Sequence, residues 1–216
     1  MRNEDWEPIY SDILKDFGYD RESDENSARV LKTLMINADL ITEDELGIGD
    51  VVSIFGAADC LSDDIVKKNP EGILISAGSA TSVVMKSGIV PDIIVTDLDG
   101  DIESQIEANR KGAVAVLHAH GDNTDLIMRY AKEFTGKVLL TTQSRSDFVI
   151  CNFGGFTDGD RAVCLARHMG AKRIFLYGFD FDNPSAKDGS DPQIKKKKLS
   201  WARKIIGDSS DIVRIR

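Results

Sequence analysis

Short apolar runs recur along the chain from about residue 50 onward, with more polar stretches between them. Six of these runs lack the alternation of apolar and polar positions that a half-exposed strand shows. They therefore predict strands covered on both faces. A further run near the C-terminus predicts an edge strand. The predicted strands span residues 51–55, 73–75, 93–95, 114–117, 138–140, 174–177 and 212–215.

Stretches with apolar residues at helical spacing lie between most of the predicted strands. Strands that alternate with helices favour right-handed crossovers and a parallel sheet. The expected fold class is therefore α/β, a Rossmann-like three-layer fold with a mostly parallel sheet. The predicted helices span residues 61–68, 79–87, 102–110, 123–134, 159–169 and 193–206.

The first 47 residues show a different pattern, with two amphipathic helices and no strand-like run. The predicted helices span residues 6–17 and 24–37, and a Gly-Tyr-Asp turn separates them. In the second helix, apolar residues fall on one face, as expected of a helix that packs on a neighbour. We therefore expect a helical N-terminal cap over residues 1–47 and an α/β domain over residues 48–216.

Charge and composition narrow the classes of function. Of the 216 residues, 42% are hydrophobic and 29% are charged, which is typical of a folded domain. The net charge of −9 repels polyanions and argues against a nucleic-acid partner. No apolar run is long enough to cross a bilayer, and the acidic N-terminus does not resemble a signal peptide, so we expect a cytoplasmic protein without membrane contact. A nucleotide enzyme can nevertheless be acidic when bound cations screen the phosphates.

The three cysteines are odd in number and form no Cys-x-x-Cys pair. A disulfide framework or a structural zinc site is therefore not expected. Small half-buried thiols are the favoured interpretation. The cysteines are Cys60, Cys151 and Cys164.

Two carboxylates follow the third predicted strand, where residues 96–101 read TDLDGD. Asp97 and Asp99 can converge on one hard cation, because ligands of α/β sheets bind at the carboxyl ends of strands. Magnesium favours one or two carboxylates together with waters and phosphate oxygens. The alternative is an acidic turn in which Asp101 caps the next helix. The Asp-x-Asp pattern also occurs in phosphatases and glycosyltransferases.

The fourth predicted strand ends in HAHGDN at residues 118–123. Asp122 fits two roles equally well: an N-cap of the following helix, or an acidic group that holds a metal against a phosphate. His118 and His120 are expected to hydrogen-bond a substrate rather than bind zinc, because no third soft ligand lies at a useful spacing.

The chain after the fifth predicted strand is rich in small and polar residues. It reads TTQ at residues 141–143 and NFGGFTDGDRA at residues 152–162. Paired glycines before a helix permit close approach of the backbone to a ligand. Asp158 or Asp160 can cap that helix, and Arg161 offers a bidentate phosphate contact or a salt bridge to those acids. A lysine run at residues 195–198 is expected to form a solvated helix face, with phosphate steering as the alternative.

Taken together, these segments resemble the archaeal 6-hydroxymethyl-7,8-dihydropterin pyrophosphokinase family, which has a thiamin-pyrophosphokinase-like fold. The resemblance covers most of the chain from about residue 51, and the string GGFTDGDRA is far more specific than Asp-x-Asp. It implies diphosphate transfer from ATP, as co-substrate, to the hydroxymethyl group of the dihydropterin, with release of AMP and with Mg²⁺ as the metal.

The resemblance also implies roles for individual residues. The catalytic and metal-binding residues would be Asp97, Asp99 and Asp122. Nucleotide binding would involve Gly56, Thr96, Asn123, Thr157 and Arg161, and substrate binding would involve His118, His120, Gln143, Asp158 and Asp160. The expected partners are these small molecules, and the exposed edge strand and added helical segment are compatible with a homodimer.

Other functions stay open at this point. Thiamin pyrophosphokinases typically have Ser where this chain has Gly100, and phosphatases with an Asp-x-Asp-Gly motif carry it on the first strand. A glycosyltransferase could use Asp-x-Asp for a metal-bound nucleotide sugar. The turns at residues 56–61 and 76–80 differ from the family's glycine-rich turn and Ala-Asp-Gly-Ala segment, which motivates an inactive nucleotide-binding module.

Overall fold

Seven strands form one sheet in a computed structural model, which describes residues 3–183 and 191–215. Every strand pair within these residues is parallel, so the predicted sheet is confirmed. The strands are β1 (Val51–Phe55), β2 (Ile73–Ala77), β3 (Ile93–Thr96), β4 (Val114–Ala119), β5 (Val138–Thr142), β6 (Arg173–Tyr177) and β7 (Ile212–Arg214). Their order across the sheet is β5-β4-β3-β2-β1-β6-β7, which places β7 at an edge as predicted.

Helices cover both faces of the sheet, which confirms the three-layer architecture. In β4, Ala115 and Leu117 pack in a core with residues of the second, fifth and sixth helices, whereas Val116 packs in a core with the seventh. This alternation follows from the two-residue period of a strand. The helices are α1 (Asn3–Phe17), α2 (Arg21–Leu34), α3 (Leu61–Lys67), α4 (Ala80–Lys86), α5 (Ile102–Arg110), α6 (Thr124–Tyr130), α7 (Asp158–His168) and α8 (Pro192–Ile206).

The helix predicted over residues 123–134 is wrong as one continuous element. A 3-10 turn at Gly121–Asn123 precedes α6, and another at Ala131–Glu133 follows it. The side chain of His120 accepts a hydrogen bond from the Asp122 amide at 3.3 Å. Asp122 lies within the first 3-10 turn. The N-cap position of α6 is occupied by Asn123 and not by Asp122.

Four strands extend one or two residues beyond their predicted ends. The added residues include Ser76, Thr96, His118 and Thr141, whose polar side chains mark the end of each apolar run. These side chains are buried and find partners nearby; the Thr141 hydroxyl, for example, donates to the Leu117 carbonyl at 3.1 Å. Local hydrogen bonds thus allow polar residues inside buried strands.

The first two helices pack directly on the α/β part of the chain. Trp6, Tyr10 and Ile13 of α1 share a buried core with Phe156 and Ile205. Helix α2 packs on β4, β5 and α6. The division into a cap at 1–47 and a domain at 48–216 stays a prediction. Within the described ranges, no helix is both long and apolar enough to cross a membrane.

Candidate active site

A cavity opens at the carboxyl ends of β1 and β6, where the strand order reverses. Such a reversal point is the usual ligand site of an open α/β sheet. The loops after the two strands approach closely: a Cβ atom on Gly56 would lie 2.7 Å from the Gly178 carbonyl oxygen. Gly178 has a φ of 67°, which further favours glycine there. The cavity has a volume of about 500 Å³ and extends from this crevice past the ends of β3, β4 and β5 to the α1–α2 turn.

The loop after β3 brings Asp97 and Asp99 to the cavity wall. Between them, Leu98 is buried with a φ of 68°, a conformation that costs a non-glycine residue on the order of 1 kcal/mol. Hydrogen bonds hold this conformation. The Leu98 amide donates to the Thr96 hydroxyl at 2.9 Å, and that hydroxyl donates to the Gln105 side chain at 2.6 Å. The Gln105 side chain in turn donates to the Asp99 carbonyl at 2.9 Å, so Thr96 and Gln105 together stabilise the loop.

His120 and Asn123 fix the position of Asp97. The His120 Nε2 atom lies 3.4 Å from an Asp97 carboxylate oxygen, and the Asn123 amide donates to the Asp97 carbonyl at 2.8 Å. Burial acts to raise the pKa of Asp97, but the hydrogen bond with His120 and the charges of His120 and Arg161 outweigh it. The pKa therefore lies below its usual value, and Asp97 is a carboxylate at neutral pH.

Arg161 is the buried cation of the site, with 5% of its surface exposed. Its Nη1 donates to Asp158 at 3.2 Å and its Nη2 donates to Gln143 at 3.3 Å. Burial and the negative charge of Asp97 raise the pKa of Asp158 well above its usual value, against the opposing effect of Arg161. Carboxyl groups with opposite pKa shifts thus lie in one cavity, an arrangement typical of acid–base sites.

The α1–α2 segment supplies part of the wall, which the sequence analysis did not predict. Asp24 is 3% exposed and accepts hydrogen bonds from Tyr10 at 2.5 Å, Gly121 at 2.6 Å and Gln143 at 2.9 Å. The Trp6 indole donates to the Gln143 carbonyl at 2.8 Å. The available signal was a carboxylate on the apolar face of α2, in line with Ala28 and Leu31.

The structure separates the predicted site residues into two groups. Most of them line the cavity: Gly56, Asp97, Asp99, His120, Asp122, Gln143, Thr157, Asp158 and Arg161. The other four lie behind its wall: Thr96, His118, Asn123 and Asp160. These four residues support the residues that line the cavity. The Asp160 carboxylate, for example, accepts hydrogen bonds from the backbone amides of Phe156 at 2.6 Å and Thr157 at 2.8 Å, and it caps α7.

The three predicted metal ligands line the same cavity but are not assembled as a triad. Within residues 3–183 and 191–215, no group of three His, Cys, Asp or Glu side chains is arranged to hold a metal ion. Asp97 and Asp99 project from one loop, whereas Asp122 is exposed on the 3-10 turn after β4. The site therefore offers a carboxylate pair with a third carboxylate elsewhere on the wall.

The pH dependence of stability tests the burial of His118. Burial and the charges of Arg161 and His120 lower its pKa well below the usual value, so the unfolded chain takes up the proton first. The stability that neutral His118 contributes is present above about pH 6.5 and is lost as the pH falls. Between pH 7.5 and 5.5 we expect the contribution of His118 to the free energy of unfolding to fall by up to about 1.4 kcal/mol.

Urea unfolding at both pH values measures this loss. The parent should lose up to about 1.4 kcal/mol more than His118→Gln between the two pH values. His168→Gln, which replaces a surface histidine beside Glu43, should behave like the parent. An unchanged pH dependence in His118→Gln would contradict the assignment.

Comparison with known proteins gives a consistent picture. The family model described as 6-hydroxymethylpterin diphosphokinase MptE-like matches residues 26–185. Among curated proteins named 6-hydroxymethyl-7,8-dihydropterin pyrophosphokinase, that of Pyrococcus furiosus is 43% identical over 95% of this chain and 93% of its own. The protein of that name from Methanothermobacter thermautotrophicus is 40% identical over 93% of this chain and 92% of its own. The protein of that name from Methanocaldococcus jannaschii is 37% identical over 100% of this chain and 98% of its own.

A solved structure, the MAf glycosyltransferase from Magnetospirillum magneticum AMB-1, aligns with 80% of this chain and 29% of its own. The sequence identity is 17% and the TM-score is 0.48.

Proposed function

The chain belongs to the MptE-like family of 6-hydroxymethylpterin diphosphokinases, and on this basis we propose that it transfers diphosphate from ATP to 6-hydroxymethyl-7,8-dihydropterin and releases AMP. The observation that carries the proposal is the match of three relatives with that name over 93% or more of the chain. The relatives' names do not favour the thiamin, glycosyltransferase, phosphatase or binding-module alternatives. Cytoplasmic location and a homodimer stay predictions.

The reaction joins the hydroxymethyl oxygen to the β-phosphorus and breaks the bond from that phosphorus to the oxygen shared with the α-phosphate. AMP leaves with that oxygen, and the hydroxyl proton must be accepted. Asp158 suits this acceptor role, because it lies on the cavity wall and burial and Asp97 raise its pKa well above the usual value, which makes it a stronger base. Arg161, fixed by Asp158 and Gln143, offsets charge on the phosphoryl oxygens. Most of the catalytic effect then comes from alignment and electrostatics.

The carboxylate pair after β3 fits Mg²⁺. Asp97 is ionised at neutral pH, and both Asp97 and Asp99 present hard oxygen donors to the cavity. Mg²⁺ commonly takes one or two carboxylates and completes its shell with waters and phosphate oxygens, so a protein triad is not required. Asp97 and Asp99 would hold the ion, with Asp122 as a third acidic partner. When bound, the ion neutralises charge on the phosphate oxygens.

The two ends of the cavity suit the two substrates. The crevice between β1 and β6 is the reversal point at which nucleotides bind in such sheets, and Phe179 lies there against Gly56 and Gly159. The opposite end has Tyr19, Asp24 and Gln143 on its wall. A planar pterin presents paired donors and acceptors along one edge, which amide and carboxylate groups can recognise. We therefore place the nucleotide in the crevice and the pterin beside the α1–α2 turn.

Release of AMP from ATP with magnesium tests this proposal. The assay compares 6-hydroxymethyl-7,8-dihydropterin with thiamin as the acceptor. We expect AMP to form in step with pterin diphosphate, and no AMP above background with thiamin. Folded protein that binds ATP but releases no AMP with either acceptor would favour the binding-module alternative and overturn the proposal.

A further inference from the structure

One face of α8 forms part of the cavity wall. Four residues of this face line the cavity, at spacings of three, four and seven residues: Lys195, Lys198, Leu199 and Ala202. This spacing puts them on one side of a helix. We call this set the α8 face.

The structure divides the lysine run that the sequence predicted to be solvated. Lys195 and Lys198 border the cavity, whereas Lys196 is exposed and does not line it. Lys197 forms an ion pair with Asp16 at 2.9 Å. Neighbouring lysines of one run are therefore in different environments, and only two of them are placed to meet a ligand in the cavity.

Lys198 lies close to the first turn of α7. Its Nζ atom is 5.7 Å from the centre of the Phe156 ring, and Phe156 directly precedes Thr157, the N-cap residue of α7. Thr157 and Arg161 of the same region also line the cavity. The N-terminus of a helix carries partial positive charge and favours anions. A phosphate group in this part of the cavity would therefore meet Lys198, Arg161 and the start of α7 together.

The charge balance of the cavity gives the second argument. The described lining contains seven carboxylates: Asp20, Asp24, Asp97, Asp99, Asp122, Asp158 and Asp180. Its described cationic side chains are those of Arg161, Lys195 and Lys198, and Arg161 already donates to Asp158 and Gln143. A polyphosphate that enters such a cavity is repelled by the carboxylates unless cations offset their negative charge. A lysine ammonium on a flexible stem suits this task, because it follows a phosphate that moves during the reaction.

We propose that Lys195 and Lys198 bind the polyphosphate of ATP, and that the α8 face is thereby a functional part of the active site. The inference deepens the proposed function and rests on it. It assigns the phosphate chain to the space between the carboxylate pair after β3 and the α8 face. The buried residues of α8 are Ala202, Ile205 and Ile206, whereas Lys195 and Lys198 are partly exposed.

The test compares the double variant Lys195→Gln/Lys198→Gln with Lys196→Gln as the matched control. ATP affinity is measured by calorimetry with magnesium and no acceptor, and AMP release is measured with saturating dihydropterin. We expect the double variant to weaken ATP binding about 10-fold or more, because each charge-assisted contact to phosphate is a strong one. Lys196→Gln should stay within about 2-fold of the parent, and Lys198→Arg should keep most of the affinity because it retains the charge.

Each outcome separates the inference from the proposed function. If the parent releases AMP and the double variant matches Lys196→Gln in ATP affinity, the inference is overturned and the proposed function stands. If the parent binds ATP without releasing AMP, the proposed function fails, and the difference in ATP affinity still decides the role of the lysines. A parent that does not bind ATP would overturn both.

Discussion

Asp97→Asn is expected to lower the rate of AMP release by about 10²- to 10³-fold while the protein stays folded. Asp97 lies at the end of β3 with its carboxylate on the cavity wall, and its pKa is held below the usual value mainly by His120. Asn has nearly the same shape but no charge, so it removes the group proposed to hold Mg²⁺ beside the phosphates. Stability should change by about 1 kcal/mol or less, because the contact with His120 is partly exposed.

Asp101→Asn in the same loop is the matched control. Asp101 is exposed, does not line the cavity and caps α5 through the Ser104 amide at 3.2 Å. Asn is an equally good N-cap, so turnover should stay within about 2-fold of the parent. Steady-state kinetics and urea unfolding of both variants measure the two effects. Near-normal turnover in Asp97→Asn would remove Asp97 from the proposed mechanism.

Arg161→Gln is expected to lower both turnover and stability. Arg161 is the buried cation between Asp158 and Gln143, and its loss leaves Asp158 beside Asp97 with no opposing charge. We expect about 3 kcal/mol less free energy of unfolding, as is typical when one partner of a buried pair is removed. Turnover should fall about 100-fold or more, because the cation proposed to face the phosphoryl group is gone.

A second substitution separates these two effects. Adding Asp158→Asn removes the uncompensated buried charge, so the double variant should regain much of the lost stability without regaining turnover. Arg167→Gln is the control on the same helix; Arg167 is partly exposed, pairs with Asp211 at 2.7 Å and lies at the opposite end of α7. It should leave turnover unchanged. The account is contradicted if Arg161→Gln keeps parental turnover or if Asp158→Asn restores no stability.

The sheet and one part of the site were predictable because both depend on local pattern. Strands buried on both faces appear as continuous apolar runs, and their spacing with helices fixes a parallel sheet. Parallel strands end at one edge, so the polar residues after β3, β4 and β5 had to lie close together. The structure brings Asp97, Asp99 and Gln143, which follow two of these strands, together in the lining of one cavity.

The rest of the site depends on contacts that no local pattern encodes. Asp24 and Gln143 are 119 residues apart in sequence, yet they share a hydrogen bond that joins the α1–α2 segment to the cavity. Leucine gives no indication of a left-handed backbone, yet Leu98 adopts one. Hydrogen bonds from the Leu98 amide to Thr96 and from Thr96 to Gln105 stabilise this conformation. The sequence also showed that Thr96 lies at a strand end, but not that its side chain points away from the cavity.

The most direct test of the central claim follows the β-phosphorus of ATP. ATP labelled at that position is incubated with the protein, magnesium and 6-hydroxymethyl-7,8-dihydropterin, and the labelled products are separated. The account predicts label in a pterin product that carries two phosphates, formed mole for mole with unlabelled AMP. Label recovered in ADP would show transfer of a single phosphate, and label left entirely in ATP bound to folded protein would show no transfer. Either result would contradict diphosphate transfer as the function of this protein.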